Sequence, residues 1–238
     1  MEFSAKPVSV EEIASWRDLH RQEMKCQIVH DSLHRRPGWT ESYLFEIDGN
    51  AVGYGSILID GPWAGTRTLF EIYIAPSFRS HIFHLYSALK AASQANAITV
   101  QTNDLFLTVL LHAYASGITS EKIVFEDKIT TAHSIQGALL RQRGEPDNDW
   151  ALEADGVVAA TGGILYHYNR PYGDIYMKVA EPFRRRGFGS YIVQELKRIC
   201  YENGSVPCAR CNTNNLASRN TLQKAGFVPC AHLLNGTL

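Results

Sequence analysis

The chain has 238 residues, 45 % apolar and 20 % charged, the composition of a soluble globular protein with room for one large domain or two of about 120 residues. A net charge of −1 gives no general attraction to nucleic acid or anionic membrane, so any basic function must be local. No apolar run approaches the roughly 20 residues of a membrane span, and Met1 to Lys6 lacks the basic-then-apolar order of a secretory leader, so the expectation is a cytoplasmic chain.

In chain order, Ser9-Val-Glu-Glu12 is a capping box that opens a helix with Ile13, Trp16 and His20 on one side. Tyr43 to Ile47 and Ala51 to Ile59 read as a hairpin turning at Asp48-Gly49-Asn50. Thr68 to Ile74 is a third strand, Phe78 to Ala95 an alanine-rich helix, Ile98 to Gln101 a strand and Leu105 to Ala115 a helix. Lys122 to Ile129 is expected to close this half.

The second half repeats the plan. His133 to Arg143 is assigned a short helical part and Glu145 to Asp149 a polar loop. Trp150 to Ala154 and Val157 to Tyr166 form a hairpin around Asp155-Gly156, and Asp174 to Val179 is the central strand. A helix from Gly189 to Glu202 buries Ile192, Leu196 and Ile199. Val206 to Cys211, a helix from Leu216 to Ala225 and a strand from Phe227 to Leu233 complete it.

The halves are related in detail. A shift of 105 sets Ala75, Phe78, Arg79, Phe83 and Tyr86 on Ala180, Phe183, Arg184, Phe188 and Tyr191. A shift of 107 sets Glu46, Asp48, Gly49, Gly55, Ile57 and Leu58 on Glu153, Asp155, Gly156, Gly162, Ile164 and Leu165, and a shift of 111 sets Thr102, Asn103 and Leu105 on Thr213, Asn214 and Leu216. A slowly drifting offset with elements in order predicts a duplication, with domains at 1–131 and 132–238.

The chemistry concentrates between Val179 and Ser190, where an apolar strand runs through Arg184-Arg185-Arg186-Gly187-Phe188-Gly189 into a helix. Glycines let a backbone approach a ligand, a helix start carries roughly half a positive charge, and arginines add fork-shaped donors, which together suit a pyrophosphate. In the first half the glycine positions hold Ile82 and His84, with Ser80 and His81 for two of the arginines, so that copy is expected to have lost the cradle. Five cysteines form no even framework, and Cys208 and Cys211, three apart on a strand, point to opposite faces, so no metal site is expected and reduced thiols are.

The Arg-x-x-Gly-x-Gly segment, followed by Asn215-Leu-Ala-Ser218 and Lys224-Ala-Gly226-Phe227, resembles the acetyl-CoA motif and closing signature of the GCN5-related N-acetyltransferase (GNAT) superfamily. The resemblance implies an α/β (α+β) fold of two tandem GNAT-like domains, each with a mixed, mostly antiparallel sheet flanked by helices, the first degenerate. It implies that acetyl-CoA serves as acyl donor, held by Met177, Lys178, Val179, Arg184, Arg185, Arg186, Gly187, Phe188, Gly189, Ser190 and Asn215, with no metal. It also implies that the central strand splays from its neighbour, that pantetheine lies in the gap, and that the acetyl group passes directly to the amine of a small molecule or peptide.

A primary amine near pKa 10.4 loses its proton at pH 7 at a cost of about 4–5 kcal/mol, which a positioned base can offset. Asp174 stands where relatives often carry glutamate and is the first candidate, ahead of His167 and Glu153. Where many relatives place a proton-donating tyrosine this chain has Leu222, leaving Ser218 or bulk water to assist the departing thiolate. Tyr166, Tyr168, Tyr172 and Tyr176 cluster in the strands and loops of the expected acceptor pocket, where they would stack on an acceptor or simply pack. The other reading is a non-catalytic acyl-CoA sensor or interaction module. The oligomeric state is open between monomer and homodimer.

Overall fold

The computed structural model describes residues 1–28, 31–144 and 149–238, so most of the expected loop at 145–149 lies outside the described residues. The chain runs β1 (Phe3–Val8), α1 (Ala14–Met24), α2 (Asp31–His34), β2 (Thr40–Ile47), β3 (Asn50–Leu58), β4 (Thr68–Ile74), α3 (Ile82–Ser93), β5 (Ala97–Gln101), α4 (Leu105–Tyr114) and β6 (Ser116–Asp127). It continues through β7 (Leu139–Gln142), β8 (Asp149–Ala154), β9 (Val157–Leu165), β10 (Tyr172–Val179), α5 (Phe188–Glu202), β11 (Val206–Asn212), α6 (Leu216–Lys224) and β12 (Phe227–Thr237). Among the described residues no helix is long and apolar enough to cross a membrane.

The chain divides into two compact units, Met1–Glu121 with His232–Leu238, and Lys122–Ala231. This differs from a cut at 131. The closing strands are exchanged: residues 122–126 of β6, expected to finish the first half, pair antiparallel with β11, while residues 233–237 of β12 pair antiparallel with β5. Alternating apolar patterns mark these segments as strands, but either would satisfy the open edge it meets, so periodicity alone does not say which edge it takes. The stretch expected to be helical at 133–143 instead contains β7, hydrogen-bonded to β8 from Leu139↔Glu153 to Gln142↔Trp150.

In the first unit the strand order is β1-β2-β3-β4-β5 followed by the end of β12, and only β4 and β5 are parallel. β1 is an element that sequence periodicity did not reveal, because its residues are half-buried or exposed and show no clean alternation. Ser9 and Glu12 form half of the expected capping box, the Ser9 N–H donating to Glu12 Oε2 at 2.8 Å.

The second unit repeats the plan with the order β6-β11-β10-β9-β8-β7, in which only β10 and β11 are parallel. Irregularities repeat too. The first hairpin carries a β-bulge at Phe45/Glu46 and positive φ at Asp48 and Gly49; the second carries them at Leu152/Glu153 and at Asp155 and Gly156. Two consecutive left-handed residues suit the tight turn of a right-twisted hairpin. Ala75 N–H donates to Val52 O and Ala180 N–H to Ala159 O, both at 2.9 Å. Arg79 Nε returns to Ile74 O at 3.0 Å, and Arg184 Nε to Val179 O at 3.5 Å. Bulges and side-chain returns thus recur at matching positions of the two units.

α5 is the main packing helix of the second unit. Ile192, Val193 and Leu196 are fully buried against Phe125, Leu152, Ile164, Ala209 and Phe227. Burial of side chains of this size stabilises by about 1.5–3 kcal/mol each. Lys197 is buried on the same helix and is satisfied: it pairs with Asp127 at 2.6 Å and donates to Ile129 O and Ala225 O.

Candidate functional site

The site grows from the way β10 leaves its parallel neighbour. Pairing with β11 runs only from Tyr172↔Val206 to Ile175↔Ala209, whereas pairing with β9 continues to Val179↔Ala160. From Tyr176 to Val179 the edge of β10 that faces β11 is therefore without a strand partner. Unpaired backbone amides within a sheet are a template for an extended ligand.

A groove of about 800 Å³ occupies this gap. Met177, Lys178, Val179, Arg184, Arg185, Gly187, Gly189, Ser190 and Asn215 line it, together with Ala217, Ser218, Asn220, Thr221 and Lys224. Nine of the eleven residues expected to hold the cofactor thus meet in one place. The other two do not line it: Phe188 is buried in the core, and the Arg186 guanidinium lies over the rings of Phe183 and Phe188, at 5.3 and 5.5 Å from their centroids. Motif spacing treats the three arginines alike; their side-chain packing distinguishes them.

The start of α5 is suited to an anion. Its N-cap is Gly187, at φ +89°, and no side chain caps the first turn, whereas α4 is capped by Asp104 and α6 by Asn215. Uncapped first-turn N–H groups and the helix dipole favour negative charge there. A Cβ at Gly187 would meet nothing within 4 Å, so the left-handed backbone, rather than crowding, requires glycine. Gly189 is different: a Cβ there would lie 2.9 Å from Thr221 Cγ2 and 3.3 Å from Val179 Cγ2, so the protein's own packing limits it. Arg185 adopts φ +60°, uncommon for a non-glycine residue.

A second cavity, of about 290 Å³, adjoins the groove and shares Met177 and Ser218 with it. Its walls include Lys122, Leu165, Asp174, Ile175, Tyr176, Arg210, Cys211, Asn212 and Leu222. Both expected catalytic residues, Asp174 and Ser218, are here. Asp174 is only 4 % exposed, so its carboxyl is shut off from bulk water. Arg210 Nε donates to Asp174 Oδ2 at 3.1 Å, while Oδ1 is buried with no hydrogen-bond partner. Burial pushes the Asp174 carboxyl up, the Arg210 charge opposes this only in part, and the result is a pKa of about 6. Arg210 is itself held, donating to the Tyr168 hydroxyl with its guanidinium carbon 4.6 Å from that ring centroid.

The weaker candidates lie elsewhere. Glu153 pairs with Arg141 at 3.0 Å, and His167 packs on Tyr168 with ring centroids 4.3 Å apart; neither lines the cavity. Of the four tyrosines, Tyr176 lines the cavity and Tyr168 steadies Arg210, while Tyr166 accepts a hydrogen bond from Asn203. Leu222, at the position counted for a tyrosine, contributes a buried apolar wall. Ser218 opens the first turn of α6, its N–H donating to Asn215 Oδ1 at 3.0 Å. Sequence reasoning missed Arg210 and Lys122. The available signal was a charged residue at 210 between two cysteines of an otherwise apolar strand, a position that folding fills with charge only when a partner waits.

The corresponding gap in the first unit is differently furnished. β4 pairs with β5 only at Thr68 and Leu69, but beyond them Gln101 accepts from Ile28 N–H at 2.9 Å and donates to Gln27 at 2.8 Å. Glu71, fully buried on β4, pairs with Arg17 at 3.2 Å and His34 at 2.5 Å, and His20 pairs with Asp104 at 2.8 Å. Burial alone would pull the His20 imidazole down, but Asp104 and Glu71 outweigh it and hold its pKa at about 9. At the head of α3, Ile82 is buried in the core and His84 stacks on Phe3 at 4.7 Å.

Residues 120–227 match the Acetyltransferase (GNAT) family. No curated protein matches the chain. Among solved structures the chain resembles a GNAT-family acetyltransferase from Colwellia psychrerythraea, with 15 % identity, all of both chains covered and a TM-score of 0.73. It also resembles a tandem GNAT protein from the clavulanic acid biosynthesis pathway, described without AcCoA, at 13 % identity over 100 % of this chain and 98 % of that one, with a TM-score of 0.63. A GCN5-related N-acetyltransferase from Sphaerobacter thermophilus is similar at 13 % identity, covering 99 % and 95 %, with a TM-score of 0.63. The match to the Acetyltransferase (GNAT) family thus spans residues 120–227, and the fold of the chain resembles that of solved GNAT structures, one of them a tandem GNAT protein.

Proposed function

We propose that the second unit is an acetyl-CoA-dependent N-acetyltransferase that passes the acetyl group directly to the amine of a small molecule or peptide. The observation that carries this reading is the meeting of two cavities at Met177 and Ser218. One is a groove beside an uncapped helix start, and the other holds a buried carboxylate with a free oxygen. In this reading acetyl-CoA supplies an activated acetyl thioester. The first-turn N–H groups of α5 and the Arg184 and Arg185 guanidiniums hold its diphosphate, and the open edge of Met177 to Val179 pairs with the pantetheine amides.

Asp174 Oδ1 takes the proton from the acceptor ammonium, and the freed amine forms the new C–N bond as the C–S bond breaks. With a pKa of about 6, Asp174 is mostly ionised at pH 7 and still close enough to neutrality to exchange protons. In the same reading Ser218, which lines both cavities, hydrogen-bonds the departing sulfur. We further propose that the domains follow the two compact units and that the first no longer binds the nucleotide carrier. The buried network around Glu71 and the filled head of α3 support this.

One observation favours a second reading, an acyl-CoA sensor without turnover: the cavity wall at Leu222 offers no proton to a leaving thiolate. Incubation with acetyl-CoA and a panel of amines, followed by thiol release, separates the two. CoA release above background hydrolysis supports transfer. Calorimetric acetyl-CoA binding without release supports the sensor, and neither binding nor release refutes both.

A further inference from the structure

An arginine can grip a carboxylate by one oxygen or by both. Nε and Nη2 share one edge of the guanidinium, and that edge ordinarily takes the two oxygens together. In this protein Arg210 Nε donates to Asp174 Oδ2 at 3.1 Å, but Nη2 donates instead to the Tyr168 hydroxyl. Tyr168 stands between β9 and β10, and its ring packs on the same guanidinium, 4.6 Å from centroid to Cζ. Asp174 Oδ1 is left buried and without a hydrogen-bond partner, on the wall of the 290 Å³ cavity.

The two grips have different consequences for a base. Held by both oxygens, a carboxylate is fixed as the anion and has no oxygen open to a proton. With no cation beside it, a carboxyl only 4 % exposed stays protonated at neutral pH. The one-oxygen grip lies between these limits. Burial raises the Asp174 pKa, Arg210 and then Lys122 on β6 lower it, and it settles at about 6. The other groups facing Asp174 add no charge. Cys208 stands across from it on β11, with a thiol that burial holds well above its ordinary value. Leu165 stands across on β9, and Tyr176, two residues along β10, donates its hydroxyl to Asp149.

Resting on the acetyl-transfer reading above, we propose that Arg210 and Tyr168 are positioning residues for Asp174. Arg210 orients the carboxylate by holding Oδ2, and Tyr168 draws Nη2 aside so that Oδ1 stays open to the acceptor ammonium. Both act through Asp174 and neither exchanges a proton with the acceptor.

Substitutions at the two positions should move Asp174 in opposite directions. Tyr168→Phe keeps the ring but removes the oxygen that holds Nη2, which is then free to take Oδ1. The Asp174 pKa should fall by about one pH unit, and the kcat/KM plateau by about tenfold or more as the open oxygen is covered. Arg210→Met keeps an apolar stem and removes the charge, so the pKa should rise by about 1–3 pH units. Arg210→Lys restores the charge without the fork and should recover much of that rise. If Arg210→Met fails to fold, Tyr168→Phe and Arg210→Lys decide the matter.

Two readouts are needed. NMR of the carboxyl carbons in aspartate-labelled protein follows Asp174 directly, its signal assigned by its loss in Asp174→Asn. The pH profile of kcat/KM, taken with the amine the parent uses best, follows it through the reaction. Opposite shifts of the two variants in both readouts are expected. A contact that serves only stability would lower Tm without separating the profiles. An unchanged Asp174 pKa in Tyr168→Phe overturns the inference, as do shifts of the same sign or a kcat/KM profile that ignores the NMR shifts. The two readings fail separately. If no amine yields free CoA, acetyl transfer is refuted, while opposite NMR shifts still establish how Asp174 is held. If the parent turns over but the variants titrate alike, transfer stands and the positioning role falls.

Discussion

Replacing Asp174 with asparagine tests the site through both stability and rate. The side chain keeps its shape and an oxygen for Arg210 Nε, but it loses the charge. Aspartate's ordinary pKa of 3.8 is raised to about 6 by burial, so the folded protein holds this proton more tightly than the unfolded chain does. The associated stability is fully present below pH 3.8 and is lost as pH rises through about 6. At about 1.4 kcal/mol per tenfold, the loss reaches about 3 kcal/mol at pH 7, of which about 2 kcal/mol falls between pH 4.5 and 7.

Asp174→Asn has no such loss. Its Tm relative to the parent should therefore rise across that window by roughly 4–8 °C, at about 2–4 °C per kcal/mol for a chain of this size. Calorimetric melting of both proteins at half-unit pH steps measures it. In parallel, kcat/KM of the parent should rise with pH through an inflection near 6, and the variant should lose about 100- to 10,000-fold, the span attributed to a positioned base. A Tm difference flat from pH 4.5 to 7 would show that Asp174 is not desolvated as described. A variant within about tenfold of parental kcat/KM would remove it as the base.

Three further outcomes follow from the geometry. Gly187→Ala should cost about 1–2 kcal/mol of stability from the left-handed backbone alone and weaken acetyl-CoA binding by about tenfold or more; an unchanged Kd by calorimetry would refute the cradle. Arg185→Gly relieves the positive φ and should raise Tm slightly while weakening acetyl-CoA severalfold, whereas Arg186→Ala, which loses only its stacking on two rings, should leave Kd nearly unchanged. Glu71→Gln leaves buried Arg17, His20 and His34 without their shared anion and should destabilise the protein by about 3–5 kcal/mol, with acetyl-CoA affinity of the folded protein intact; a neutral Tm would show the network to be unimportant.

Much of this was legible in the residues themselves. The repeated plan was readable because loops can lengthen without disturbing the elements they join, so offsets drift while Asp-Gly turns and Arg returns persist. The groove beside α5 was readable because a left-handed helix start requires a glycine, and such a need leaves a local mark. Asp174 was visible as a candidate, but its state was not: a carboxylate on a strand reads the same whether it faces water or a sealed cavity. Lys197 gave no sign of burial, since its partners Asp127, Ile129 and Ala225 are remote in sequence.

Local chemistry is written in order along a chain, so the two hairpins, their Asp-Gly turns and the glycine-rich loop before α5 were legible in the sequence alone. Which edge a closing strand takes, which arginine faces the groove and which stacks on phenylalanine, and how far a carboxyl is removed from water were decided only when distant segments packed. Exchange of residues 122–126 and 233–237 between the units illustrates the difference: hydrogen-bonding edges accept any extended segment, and only the assembled sheet chooses among them. Arg210 illustrates it for the site, since its charge became useful where folding set Asp174 on one side and Tyr168 on the other.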